Sequence, residues 1–135
     1  MVIFVLSAAA YLLLAWSGGG IDLIEVGIDI LQAVQAECMD IAYLKREFGR
    51  DISFWGGIGA QSVLARQTPE QVREGVRHTL EVMAPGGGYI AAPCHRMTQE
   101  VTMANIVAFH EAMAAYGAYP SGWTRASETA GSGVG

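Results

Sequence analysis

At 135 residues the chain can bury a core as one domain, yet it falls short of the roughly 250 that a closed eight-stranded α/β barrel needs. Its composition, 52% hydrophobic and 16% charged with a mean hydropathy of +0.31, is richer in buried surface than that of a typical soluble domain. A net charge of −5 and three dispersed histidines provide no basic stripe, which argues against a nucleic-acid partner.

The chain opens on an apolar run from Val2 to Trp16. This is shorter than the roughly 20 residues that span a bilayer, so no membrane segment is expected. No Lys or Arg precedes it, the first basic residue being Lys45, which weighs against a signal peptide. Residues 1–20 are read as a buried strand or helix in preference to a membrane segment, with out-of-frame or chimeric sequence as a third alternative. From Ile21 the pattern becomes regular. Ile21–Val26 reads as a short helix ended by Gly27, and Ile28–Val34 as a strand leading to the loop Gln35–Met39. Asp40 is a plausible N-cap for a helix with Ile41, Leu44 and Phe48 on one stripe, closed by a left-handed Gly49.

A second strand, Ile52–Trp55, runs into the loop Gly56–Gln61, whose glycines could present amides to a phosphate or simply permit a tight turn. Thr68-Pro69-Glu70-Gln71 then marks a helix start, with threonine as cap, proline at the first helical position and glutamine closing a capping box. Val72, Val76, Leu80 and Met83 form its apolar stripe, while Arg73, Glu74, Arg77 and Glu81 face water. Pro85 and Gly86–Gly88 stop it. The glycines precede a strand and open no helix, so they form a turn and no dinucleotide fingerprint.

The third apolar strand follows and ends at Cys94 and His95. A helix from about Met103 to Tyr116, closed by Gly117, is expected to turn Ile106, Val107, Met113 and Tyr116 inward. His78 and His110 fall on helices as surface residues, and the Gly- and Ser-rich tail, 119–135, should be flexible. Strands alternating with helices predict parallel pairing, right-handed crossovers and functional loops at one sheet edge. The candidates there are Gln35 and Cys38, then Gly57, Ile58 and Gln61, then Cys94, His95 and Arg96. Cys38 and Cys94 form no CxxC motif, so a reducing cytoplasm is the expected setting, with a single bridge between them left open. With no base identifiable beside it, Cys94 reads as a small buried strand-end residue before it reads as a nucleophile.

Five segments in order carry a resemblance: Leu23 to Leu31, Leu44 to Gly49, Phe54 to Ile58, Thr68 to Arg73, and Gly86 through His95. From about Ile21 to Gly117 the chain resembles the C-terminal part of the uroporphyrinogen decarboxylase superfamily. That likeness implies a partial TIM (β/α)8 barrel represented by about three C-terminal βα units with a parallel sheet. The superfamily includes cofactor-free decarboxylases of the tetrapyrrole pathway and zinc-dependent methyltransferases acting on corrinoids or thiols. His95 matches the position after the last strand where decarboxylases carry a substrate-contacting histidine and many methyltransferases a zinc-binding cysteine; Asn105, ten residues on, anchors the correspondence. A histidine there suits a substrate studded with carboxylates, because imidazole can carry charge near neutral pH and donate hydrogen bonds.

The resemblance therefore implies catalysis at His95, substrate contacts from Gly57, Ile58, Gln61, Cys94 and His95, a tetrapyrrole or corrinoid-type substrate, and neither metal nor cofactor unless the methyltransferase alternative brings zinc. Departures from the family pattern are specific. The segment typically written Asp-Val-Pro-Pro-Glu-Asn reads Glu100-Val101-Thr102-Met103-Ala104-Asn105, which sets the helix start less firmly. Gly59 stands where relatives have aspartate, removing a carboxylate from the pocket rim. The family's N-terminal arginines and aspartate, and the His-x-Cys pair of the methyltransferases, are missing, so a complete zinc site within the chain is not expected. Three functions follow as alternatives: a decarboxylase-like lyase piece, a methyltransferase relative, or a non-catalytic partial barrel completed by a second copy or a complementing chain.

Overall fold

Residues 24, 25 and 27–118 are described in a computed structural model of the chain. The apolar segment 1–20, much of the helix expected over Ile21–Val26 and the tail 119–135 lie outside the described residues. In order, the elements are β1 (Ile30–Val34), α1 (Ile41–Phe48), β2 (Ser53–Ile58), a π-helical turn (Ala60–Leu64), α2 (Pro69–Met83), β3 (Tyr89–Pro93) and α3 (Met103–Tyr116). The strands form one parallel sheet in the order β1-β2-β3, so the α/β reading and the parallel pairing hold.

Register separates the two faces of the sheet. Leu31, Phe54 and Tyr89 stand side by side and are all buried, whereas their chain neighbours Gln32, Trp55 and Ile90 form a more exposed row, Ile90 being 44% exposed. Successive strand residues point to opposite faces, so one face meets the helices and the other is only partly covered by the described residues. Between Gln32 and Val34 the register of β1 slips, which returns Val34 to the buried side opposite Gly56.

The helices start where their caps dictate. Asp40 Oδ1 accepts the Tyr43 amide at 2.9 Å, and α1 buries Leu44 and Phe48. Gly49 closes α1 with φ −67°, a right-handed residue, contrary to the left-handed cap expected. No reversal is needed, because the Phe48 carbonyl accepts from Asp51 and Ile52 as the chain unwinds directly into β2. At α2 both halves of the capping box form, Thr68 receiving the Gln71 amide and Gln71 receiving that of Thr68. Its stripe of Val72, Val76, Leu80 and Met83 is buried, as expected. Lys45 Nζ donates to the Gly87 carbonyl, tying α1 to the turn at Gly86–Gly88, whose three positive φ angles only glycine adopts readily.

Two details of α3 differ from expectation. Thr102 Oγ1 accepts the Asn105 amide at 3.2 Å, so the helix start is fixed without the family's prolines. The inward stripe is Asn105, Ala108, Phe109 and Ala112, with Ile106 and Met113 half-buried, while Val107 and Tyr116 are 47% and 51% exposed. A helix that is apolar on nearly every side gives its inner face no hydropathy signature, and here a polar residue decides it. The buried Asn105 amide donates to the carbonyls of Leu64 and Gln67, each at 2.8 Å, stapling the end of the π-helical turn to α3. Removing it strands two acceptors. Asn105→Ala is expected to cost about 2 kcal/mol, and Asn105→Asp more at neutral pH because a carboxylate would face two carbonyl oxygens. Urea denaturation checks both, and unmoved midpoints would refute the staple.

Candidate functional site at the C-terminal edge of the sheet

Parallel pairing brings the segments after β1, β2 and β3 to one edge, and three of their side chains meet there. From the loop after β1, Glu37 Oε1 accepts the Ser62 hydroxyl at 2.7 Å and the Ser62 amide at 3.2 Å, both from the π-helical turn after β2. Its other oxygen, Oε2, faces the Cys94 thiol at 3.8 Å. Cys94 in turn accepts the Ala60 amide on sulfur at 3.3 Å and donates its own amide to the Ile58 carbonyl at 2.8 Å. Three loops thus converge on one carboxylate and one thiol.

The electrostatics follow from these contacts. Burial acts to raise the Glu37 carboxyl, but the Ser62 hydroxyl, the backbone amides of Glu37 and Ser62 and, least, the Cys94 thiol outweigh it and hold it below its ordinary value of 4.5. Burial pushes the Cys94 thiol up; the Ala60 amide opposes this and the Glu37 charge reinforces it. Cys94 is 4% exposed and without an activating base among the described residues, which fits the buried strand-end reading and makes it a poor nucleophile.

The sequence candidates separate by position. His95 and Arg96 follow Cys94 with exposed side chains, and Gln61 is exposed on the π-helical turn. Because β2 extends to Ile58, three residues beyond its expected end, Gly57 and Ile58 belong to the strand: Gly57 is buried beside the Tyr89 hydroxyl and Ile58 is wholly within the core. The amides of Ala60 and Ser62 are directed to Cys94 and Glu37. Cys38 is exposed and free, and Cys38 and Cys94 form no bridge. His78 and His110 are exposed on α2 and α3.

Glu37 escaped the sequence reading. It lies in an irregular turn between two singled-out residues, and a lone acidic residue there carries no periodicity. No pattern in the sequence marks it, and its place beside Gly59 shows only in the structure. A groove of about 650 Å³, lined among others by Leu80, Tyr89, Ala91, Met113 and Tyr116, lies elsewhere; Glu37, Ser62, Cys94 and His95 take no part in it.

The family model for uroporphyrinogen decarboxylase matches residues 1–116. The chain belongs to the uroporphyrinogen decarboxylase family. The match begins at residue 1, ahead of the Ile21 at which the motif resemblance starts, and no individual curated protein matches the chain. Decarboxylases of this family act on tetrapyrroles and need no cofactor. Among the described residues of this family member, no three His, Cys, Asp or Glu side chains are grouped to hold a metal ion, and no helix is long and apolar enough to cross a membrane.

A carboxyl depressed in the folded state binds fewer protons folded than unfolded. Its stabilising contribution is complete above its ordinary value of 4.5 and is lost as pH falls through the lower folded value. Melting temperature measured against pH is therefore expected to fall below pH 4.5, and Glu37→Gln to flatten that acid limb while leaving the neutral region less changed. Superimposable acid limbs would contradict the depressed carboxyl.

Proposed function

We propose that the chain is the C-terminal part of a uroporphyrinogen-decarboxylase-like (β/α)8 barrel, its three strands being the last of the eight, and that it serves decarboxylation of tetrapyrrole acetate side chains. The observation that carries this reading is the position of His95, exposed directly after β3 at the edge where parallel α/β proteins bind ligand, within a chain of this family. In this reading the imidazole of His95 contacts a substrate carboxylate or pyrrole and helps position the proton that replaces the lost carboxylate. Gln61 contacts substrate from the neighbouring turn, while Gly57, Ile58 and Cys94 shape the wall behind.

The row of Gln32, Trp55 and Ile90, only partly covered by the described residues, supports completion of the barrel by further strands, because parallel sheets are stable with both faces covered. A second copy or a complementing chain would supply them. A reducing, cytoplasmic setting suits the two free thiols.

The test is conversion of uroporphyrinogen to coproporphyrinogen by the full chain, with its mass in solution followed by light scattering. Turnover is expected from the assembled species, and His95→Ala should lower it by at least about tenfold, the loss of one charge-assisted hydrogen bond. Undiminished turnover in that variant would remove the role of His95. Stoichiometric zinc without decarboxylation would favour a methyltransferase relative instead.

A further inference from the structure

We infer that Glu37 is a positioning residue: from the loop after β1 it places a carboxylate in the space that a side chain on residue 59 would fill, and there holds the segment carrying His95. The geometry at Gly59 points to this. A Cβ built on Gly59 would lie 2.6 Å from Glu37 Oε1 and closer still to Ser62 Oγ, so a side chain at 59 would have to turn both of these exposed side-chain ends aside and undo their hydrogen bond. Glycine at 59 and glutamate at 37 are therefore one arrangement, in which the first vacates the space that the second enters. The sequence reading took Gly59 as the loss of a rim carboxylate; the carboxylate is present, delivered from a different strand.

Its grip is specific. One oxygen takes two donors from Ser62, and the other faces Cys94, whose sulfur takes the Ala60 amide. The groups facing Cys94 are thus Glu37 from the first loop and the Ala60 amide from the second, with His95 and Arg96 following on its own segment, their side chains exposed. Two loops are clamped to the residue immediately before His95. That His95 touches substrate rests on the function proposed above; the clamp itself does not.

The experiment reads the clamp without turnover. The chain has two cysteines, so in a Cys38→Ser background alkylation by iodoacetamide reports Cys94 alone. Glu37→Gln keeps the shape and an acceptor for Ser62 but removes the charge. It is expected to move the rate-against-pH profile of Cys94 to lower pH and to raise the rate at neutral pH severalfold. A profile raised by one factor at every pH, with no displacement, would mean that the side chain merely fills space and would overturn the inference.

Gly59→Asp should expose Cys94 to rapid alkylation, because the new side chain displaces the Ser62 hydroxyl and its carboxylate then contests the space of Glu37. Combining it with Glu37→Ala should restore most of the protection. A double variant no better protected than either single one would overturn the inference, whether or not Glu37→Gln folds. Failure of the decarboxylase reading would appear in turnover, leaving these profiles as predicted.

Discussion

Parallel pairing on both sides of β2 is the constraint on which the rest depends. A strand with parallel neighbours left and right has its polar backbone satisfied laterally, and its side chains Phe54 and Ile58 go wholly into the layer beneath the helices. Each strand is followed by a segment that must return over the same face, so the three returns begin at the same edge. The meeting of Glu37, Ser62 and Cys94 follows from that direction of travel. Antiparallel pairing of the same strands would send alternate loops to opposite ends.

Charge is accommodated at this edge because it is placed among donors. A carboxylate partly withdrawn from water needs hydrogen bonds to remain ionised, and the π-helical turn supplies an amide and a hydroxyl from a single residue, Ser62. The wider loop of that turn, in which Leu64 reaches back five residues to Gly59, lets the chain curl around the carboxylate instead of pointing past it. Cys94 contributes in the opposite sense: a thiol kept protonated beside a negative charge donates and does not attack.

Much of this was legible in the chain, and the reasons are local. Thr68 with Gln71, and Asp40, declare their helices because a cap is satisfied within three residues. The stripe of α2 shows because charged residues alternate with it around the helix. Where composition is uniform the signal fails: α3 is apolar nearly all round, so Val107 and Tyr116 looked as fit for the interior as Ala108 and Ala112, and the deciding contact, Asn105 to two distant carbonyls, is polar and non-local. The end of β2 was hidden for a related reason, since Gly56 and Gly57 keep the positive φ of a turn, +118° and +84°, while still pairing with β3. Placing Cys94 and His95 at the strand end needed only the length of β3. Finding Glu37 needed the third dimension.

The Asn105 staple also has a bearing on the order in which the molecule is made. Its two acceptors lie 41 and 38 residues earlier in the chain, at the end of the turn that holds Glu37. A ribosome releases those acceptors well before the amide that satisfies them, and α3 must have emerged before the pair can close. Until then the turn after β2 has open carbonyls and no lid. The end of the turn that carries Ser62 is thus secured only once α3 has been made, although its own residues appear well before that helix.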